Sequence, residues 1–166
     1  YLRAGLWKQW RYDMFAGAEV HGSTLGIIGM GRIGQGIAKR GALGFGMKVI
    51  YHNRSRLDAA TEAECKATYV SKQELLQQAD HVVVLVPYSK ESHHTIGAAE
   101  LALMKPTATL TNIARGGIID DAALAKALQQ GRHIIKAHGA APHMAAYGAK
   151  TREMVASRVI HILASA

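Results

Sequence analysis

The sequence has 166 residues, 49% of them apolar, and carries a formal net charge of +8 at pH 7. This length predicts one soluble globular domain with a hydrophobic core. The single cysteine, Cys65, excludes an internal disulfide and fits a reducing compartment. Neither a targeting signal nor an apolar run of membrane length appears, so we expect a cytoplasmic protein that binds no membrane. The basic residues are scattered, which favours phosphate binding over nucleic-acid binding.

The first residues predict an amphipathic helix over residues 1–16. Leu2, Leu6 and Trp10 recur every fourth residue, and Trp7 lies beside them. Such an aromatic face needs a cover, which could be the flank of the domain's own sheet or a second subunit. The amount of aromatic surface favours a homodimer contact.

Residues 24–54 predict a strand, a glycine-rich turn, a helix and a second strand at Lys48–His52. The turn has the spacing G-x-G-x-x-G, in which the first glycine permits a tight turn, the second lets a pyrophosphate approach, and the third lets the helix pack on the sheet. The helix N-terminus offers unpaired N–H groups to the phosphates. The predicted cofactor-binding residues of this turn are Gly29, Met30, Gly31, Arg32, Ile33 and Gly34.

The residues after the second strand bear on the choice of cofactor. NAD-binding units usually carry Asp or Glu here, but this chain has Asn53, followed by Arg54, Ser55 and Arg56. A neutral residue removes repulsion of a 2′-phosphate, and the two guanidinium groups can bind it. We therefore expect NADP(H), with NAD(H) as second choice. The alternative is that both arginines are solvated loop charges.

The rest of the chain alternates predicted strands and helices. Ser71 and Glu74 form a capping box that begins a helix with Leu75 and Leu76 on its buried side. Residues 81–86 form an apolar run typical of a strand buried on both faces. The other predicted elements are a polar helix or loop at 57–65, strands at 67–70, 108–113 and 134–137, and helices at 98–104, at 122–130 with Gly131 as cap, and at 151–166 as a closing helix. This alternation predicts one α/β domain over residues 1–166, a Rossmann-type, doubly wound, mainly parallel sheet with helices on both faces.

The strand ends supply the remaining candidate site residues. In a parallel sheet, ligands bind beyond the carboxyl ends of the strands. Arg115 follows the strand at 108–113 and is suited to holding a carboxylate, while His143 lies in a small-residue loop and is a candidate proton donor. Further predicted cofactor contacts follow these strands: Val86, Pro87, Ser92, Ile113, Ala114 and Arg115 itself. The other histidines, including His93 and His94, have no second ligand at metal spacing, so we expect no metal.

The motifs together resemble the cofactor-binding domain of the D-isomer-specific 2-hydroxyacid dehydrogenases. The likeness is greatest to the glyoxylate/hydroxypyruvate and 2-ketogluconate reductase branch. It lies in residues 3–7 (RAGLW), 26–34 (GIIGMGRIG), 45–49 (FGMKV), 51–54 (YHNR), 87–92 (PYSKES), 112–120 (NIARGGIID), 142–143 (PH) and 151–152 (TR). The resemblance implies hydride transfer between a nicotinamide and a small 2-oxo or 2-hydroxy acid such as glyoxylate, hydroxypyruvate or 2-ketogluconate. It also implies that Arg115 holds the carboxylate and that His143 exchanges the hydroxyl proton.

Two departures from the family pattern limit what this sequence is expected to do. The family's substrate domain comes from sequence before and after this segment, and neither part is present. Family members also carry, before the histidine, a further strand and a Glu whose side chain pairs with that histidine. Here only residues 132–142 fill that interval, and residues 122–152 contain no Asp or Glu. A parallel crossover needs about a dozen residues, so one strand is missing.

The expected function is therefore cofactor binding with little or no catalysis by this chain alone. Without a carboxylate to favour its protonated form, His143 is less suited to acid catalysis, and an exposed loop histidine is the alternative interpretation. A different hypothesis is a non-catalytic scaffold that forms a homodimer through its aromatic N-terminus. Nucleic-acid binding is a third, without a recognition motif to support it.

Overall fold

A computed structural model of the chain describes residues 3–10 and 19–130. In these ranges strands and helices alternate without exception. The strands are β1 (Thr24–Ile28), β2 (Lys48–His52), β3 (Ala67–Tyr69), β4 (His81–Val84) and β5 (Thr109–Asn112). The helices are α1 (Arg32–Gly44), α2 (Ala59–Cys65), α3 (Lys72–Gln78), α4 (Ala98–Leu103) and α5 (Asp121–Gln129). None of these helices has the length and apolarity that a membrane crossing requires.

The five described strands form one parallel sheet in the order β3-β2-β1-β4-β5. The chain builds outward from β1 to β3, then crosses back to place β4 on the other side of β1. The strand order therefore reverses between β1 and β4, and the carboxyl ends of these strands flank a crevice. This topology confirms the predicted Rossmann-type fold and places the glycine-rich turn after β1 at that crevice.

Alternating side chains of the strands bury both faces of the sheet. On one face Ile28, Val82 and Leu110 pack with apolar residues of α3, α4 and α5. On the other face Ile27 and Tyr51, which are both fully buried, pack with residues of α1 and α2. The core thus fixes the register of the central strands, and with it the position of the loops at their carboxyl ends.

Local sequence signals place the helix starts. The capping box predicted for α3 is present, with the Glu74 N–H donating to Ser71 Oγ at 3.1 Å and the Ser71 N–H donating to Glu74 Oε2 at 2.9 Å. Asp120 caps α5 by accepting from the N–H groups of residues 122 and 123. The strands β3, β4 and β5 are each one or two residues shorter than predicted, since the apolar pattern continues into the flanking loops.

The helix predicted for residues 1–16 is wrong for its described part, residues 3–10. These residues form a turn followed by irregular chain. Gly5 has a φ of +66°, a left-handed conformation that a right-handed helix does not contain, so the apolar spacing was misleading here. The predicted strand at 134–137, the cap at Gly131, the helix at 151–166 and His143 lie outside the described residues.

Asp80 ties the amino ends of β1 and β4 to the chain before β5. Its Oδ2 accepts from the Thr24 N–H at 2.9 Å, and its Oδ1 accepts from Lys105 Nζ at 2.8 Å. Burial alone would raise the pKa of Asp80, but the Lys105 ammonium and the Thr24 N–H outweigh it and hold the pKa below its usual value. A carboxyl with a lowered folded pKa stabilises the fold above its unfolded pKa, and this stabilisation is lost as the pH falls through the folded pKa.

We therefore expect Asp80→Asn to lower the free energy of unfolding at pH 7 by about 1 kcal/mol, since it removes a charge-assisted hydrogen bond that is partly open to solvent. The difference from wild type should shrink as the pH is lowered through 4 towards 2. Urea denaturation at a series of pH values measures it. A constant difference across the series would contradict the assignment.

Candidate cofactor site and active-site wall

Gly29 makes the turn out of β1 possible. Its φ is +102°, which favours glycine, and a Cβ there would lie 2.9 Å from the backbone atoms Leu85 C and Val86 N. The Gly29 N–H donates to the His52 carbonyl at 3.0 Å, so the turn is held against the end of β2. The ends of β1, β2 and β4 therefore meet at this glycine.

Gly34 and Gly31 differ in the space around them. A Cβ on Gly34 would lie 2.7 Å from the Gly29 carbonyl oxygen and 3.3 Å from Ile27 Cγ2, so this glycine permits close packing of α1 on the turn and on β1. A Cβ on Gly31 would meet nothing within 4 Å. Gly31 is also the N-cap of α1 and makes no side-chain capping bond. The positive end of α1 is thus open on the side where the motif would place a pyrophosphate.

Asn53 belongs to the turn as well as to the loop after β2. Its Oδ1 accepts from the Met30 N–H at 2.7 Å, and the Met30 side chain is buried in the core. The bond joins the end of β2 to the glycine-rich turn across 23 residues of sequence. The sequence predicted Asn53 as a cofactor contact, which stays a prediction, and did not predict this hydrogen bond, because nothing in the local pattern shows which backbone N–H the amide reaches.

The arginines of the loop after β2 are in different surroundings. Arg54 and Ser55 are exposed. Arg56 is also exposed, but its guanidinium forms a bidentate ion pair with Glu62 of α2, with Nε donating to Oε1 at 2.9 Å and Nη2 donating to Oε2 at 2.7 Å. The sequence did not predict this pair. Arg54 forms no bidentate pair of this kind among the described residues, but it lies near a carboxylate: the pKa of Glu91 is lowered by a hydrogen bond from Ser89 and, less strongly, by the charge of Arg54.

The loop after β4 is shaped by serines. Ser92 Oγ donates to the Pro87 carbonyl at 2.8 Å and accepts from the Ser89 N–H at 2.7 Å, so it fixes the turn of residues 87–92. Val86 is half-buried against the core, while Pro87 is exposed at the sheet edge. The predicted contacts Val86, Pro87 and Ser92 thus lie in one loop beside the glycine-rich turn, although Ser92 uses its hydroxyl within the loop.

The loop after β5 depends on Asn112, which is 2% exposed. Its Oδ1 accepts from the Ala114 N–H at 2.9 Å, and its Nδ2 donates to the Arg115 carbonyl at 2.9 Å. Both bonds hold the backbone of the loop so that the Arg115 side chain is exposed beyond the sheet, next to the exposed Ile113. Asn112 was not among the predicted site residues. The signal that could have identified it is a polar residue at the end of an apolar strand.

A cluster of rings joins the loops after β4 and β5. Tyr88 and His93 are in edge contact, with the tyrosine hydroxyl 3.2 Å from His93 Nδ1. The rings of His93 and His94 stack at 3.8 Å, and the His94 N–H donates to the Gly117 carbonyl at 2.8 Å. The sequence had assigned these histidines no metal role, and the described residues contain no group of three His, Cys, Asp or Glu side chains suited to a metal. Through the backbone bond of His94 and the packing of Tyr88 and His93 beside Gly117, the loop after β4 lies next to the Arg115 loop.

Of the two predicted catalytic residues, the structure describes Arg115. It lies at the carboxyl edge of the sheet, in the loop after β5, and the glycine-rich turn lies at the same edge after β1. Its Nη1 donates to the carbonyl of the preceding residue at 3.1 Å. His143 lies outside the described residues.

A family model matches residues 1–138, and its description is the NAD-binding domain of D-isomer-specific 2-hydroxyacid dehydrogenases. The chain belongs to this family. The match includes every described element and confirms the resemblance drawn from the motifs. The family consists of oxidoreductases that use a nicotinamide cofactor, and the chain carries the domain that binds it.

Curated relatives include glyoxylate reductases of archaea. The chain is 51% identical over 135 residues to the glyoxylate reductase of Thermococcus gammatolerans, a match that covers 79% of this chain and 40% of the relative. It is 46% identical over 135 residues to that of Pyrococcus horikoshii, with the same coverage of both chains. The chain therefore spans about two fifths of the length of the curated relatives that it matches.

Solved structures of the family have the same fold. A glyoxylate reductase from Paecilomyes thermophila superposes with a TM-score of 0.71 at 40% identity, covering 83% of this chain and 40% of that one. The holo form of D-mandelate dehydrogenase from Rhodotorula graminis gives a TM-score of 0.68 at 40% identity, covering 72% of this chain and 35% of that one.

Proposed function

We propose that this chain binds NADPH in preference to NADH and forms one wall of an active site for the reduction of a small 2-oxo acid. Glyoxylate, hydroxypyruvate and 2-ketogluconate are the substrates that we favour. The observation that supports the proposal is the space beside Gly31, where an added Cβ would meet nothing within 4 Å, at an N-terminus of α1 that no side chain caps. The glyoxylate reductases among the relatives support the substrate class.

The residues that would hold the cofactor follow from the geometry of the turn. The backbone of residues 31–34 presents N–H groups and the positive end of α1 to the phosphates. Val86 and Pro87 border the same crevice from the loop after β4, and Ile113 and Ala114 border it from the loop after β5. When bound, the nicotinamide would supply a hydride to, or take one from, the substrate carbon that carries the oxo or hydroxy oxygen.

Arg115 would act on the substrate. A guanidinium binds a carboxylate through two parallel hydrogen bonds, and a donor beside the reacting carbonyl stabilises the charge that develops on its oxygen. Asn112 holds the backbone that carries this arginine, so the position is built before substrate binds. His143 would exchange the hydroxyl proton. Because residues 122–152 contain no carboxylate to favour the imidazolium, we propose that this chain alone binds cofactor with little or no turnover.

Substitution of Arg54 tests the proposed preference for NADPH. Its exposed guanidinium follows Asn53, which exerts no repulsion on a 2′-phosphate. We expect Arg54→Ala to raise the Kd for NADPH about tenfold or more, the loss of one charge-assisted hydrogen bond to phosphate, and to leave the Kd for NADH within about twofold. Fluorescence titration with each cofactor measures both constants.

The matched control for Arg54 is Arg40→Ala. Arg40 is an exposed cation of α1 whose guanidinium donates to the Gly36 carbonyl, away from the loop after β2. The control should leave both cofactor affinities unchanged. An equal loss of NADPH and NADH affinity in Arg54→Ala would refute the preference.

The exposed N-terminal residues favour a second candidate role, a homodimer contact. Leu6, Trp7 and Trp10 are 54%, 43% and 73% exposed among the described residues, an amount of apolar surface that usually meets a partner. This surface would serve an active enzyme and a non-catalytic scaffold alike. The absence of a helix in residues 3–10 does not remove it.

We expect the wild-type chain to be a dimer by light scattering, and the double variant Trp7→Ser/Trp10→Ser to be a monomer. Phe45→Ser is the control, since it removes another exposed aromatic, 51% accessible, at the far end of α1. A monomeric wild type, or a dimer that survives the double substitution, would rule out this contact.

A further inference from the structure

Glu62 occupies the junction between α2 and the loop that follows β2. Its Oε1 accepts from the Tyr51 hydroxyl at 2.7 Å and from Arg56 Nε at 2.9 Å, while its Oε2 accepts from Arg56 Nη2 at 2.7 Å. The Glu62 side chain is 11% exposed, whereas that of Arg56 is 65% exposed. The carboxylate is thus held inside the loop, and the arginine reaches back to it from the surface.

The core fixes the position of this carboxylate. Tyr51 is fully buried in β2, and its hydroxyl also accepts from the Leu57 N–H at 2.8 Å. Burial, together with the hydrogen bond to Glu62, raises the pKa of Tyr51 to about 12, so the hydroxyl remains a donor at neutral pH. The bonds from Arg56 and then Tyr51 lower the pKa of Glu62, so its charge is present throughout the physiological range.

This pair changes the charge that a ligand meets at the loop. Arg54 and Arg56 are the two cations of residues 53–56. The bidentate pair uses two donors of Arg56 and neutralises its charge. Arg54 has no such bidentate pair among the described residues, although its charge acts on Glu91, so it is the more available of the two guanidinium groups for a 2′-phosphate. The exposed head of Arg56 leaves it within reach of solvent, where its release from Glu62 requires no movement of the core.

We infer that Glu62 is a specificity-determining residue, which limits the preference for NADPH over NADH by holding Arg56 in an ion pair. The inference rests on the proposed binding of a 2′-phosphate at residues 53–56. In the wild-type chain Arg54 provides the phosphate contact, and the ion pair with Glu62 keeps Arg56 from providing a second one. The chain accepts both cofactors for this reason, with a moderate bias towards NADPH.

The test replaces Glu62 with glutamine, which retains an acceptor for Tyr51 and removes the charge that neutralises Arg56. We expect Glu62→Gln to lower the Kd for NADPH about tenfold, a gain of one charge-assisted contact, with the Kd for NADH within about twofold of wild type. The double variant Glu62→Gln/Arg56→Ala should lose that gain. Fluorescence titration of all variants with both cofactors gives the ratio of the two constants.

Glu64→Gln is the matched control, because Glu64 lies on the same helix and pairs with Lys39 instead. It removes the same charge two residues away, so a ratio that changes equally in Glu64→Gln overturns the inference. An unchanged ratio in Glu62→Gln, or a gain that persists without Arg56, also overturns it. Glu62→Ala repeats the test if the glutamine variant does not fold, as judged by circular dichroism. Failure of the wild type to bind either cofactor would instead refute the proposed function.

Discussion

Replacing Gly29 with alanine is expected to destabilise the domain by about 3 kcal/mol, the sum of a strained positive φ and of overpacking. The added Cβ would lie 2.9 Å from backbone atoms of Leu85 and Val86, and neither strand end can withdraw without disturbing β1 and β4. Urea denaturation of the two proteins at pH 7 measures the difference.

Gly31→Ala is the control for this substitution. Gly31 has an extended backbone, with φ −78° and ψ −167°, and a Cβ there meets nothing within 4 Å. We expect Gly31→Ala to lower the free energy of unfolding by less than about 1 kcal/mol, the usual difference between glycine and alanine at an N-cap. Equal stabilities for the two variants would contradict the close approach of the turn to the end of β4.

Replacing Gly31 with aspartate is expected to weaken cofactor binding severely without destabilising the fold. Aspartate is a favourable N-cap, and its carboxylate would occupy the open N–H groups at the start of α1. The same negative charge would then repel a pyrophosphate from that position. We expect the Kd for both NADPH and NADH to rise about 100-fold or more, with a melting temperature equal to or above that of the wild type.

The control for this charge is Gly44→Asp at the opposite end of α1. Gly44 is exposed, and a Cβ there meets nothing within 4 Å. It adds the same charge to the same helix, far from the turn, and should leave cofactor affinity unchanged. Retained binding by Gly31→Asp would show that the phosphates do not approach the N-terminus of α1.

Much of the fold follows from local signals in the sequence. The apolar periods of β1 and β2, the glycines between them and the capping box of Ser71 each act within a few residues, and the structure confirms them. The spacing of Leu6 and Trp10 is also local, but the left-handed Gly5 overrides it. Periodicity shows which residues share a face of a helix only if the backbone is free to form one.

The site was less predictable, because its bonds join residues that are far apart in sequence. The pair of Arg56 and Glu62 depends on how α2 begins after the loop, and the bond from Met30 to Asn53 spans the whole first βαβ unit. Residue types alone suggested two phosphate-binding arginines. The tertiary contacts now give them different tasks, with Arg54 in the proposed contact and Arg56 held by Glu62.

The loops of the proposed active-site wall contain both local and long-range contacts. Asn112 bonds within the loop after β5, whereas the bond from the His94 N–H to the Gly117 carbonyl joins that loop to the loop after β4. The bonds of Asn112 span two or three residues and so belong to a local signal, but the contact between the two loops appears only when the strands lie side by side. The role of His143 stays a prediction, as does its relation to Arg115.

The central claim is that this chain holds a working dinucleotide site, and direct titration of the wild-type protein tests it. Following protein and cofactor fluorescence as NADPH and then NADH are added gives the two dissociation constants. We predict saturable binding of both at micromolar concentrations, with the smaller constant for NADPH. No binding of either cofactor at millimolar concentration would contradict the account.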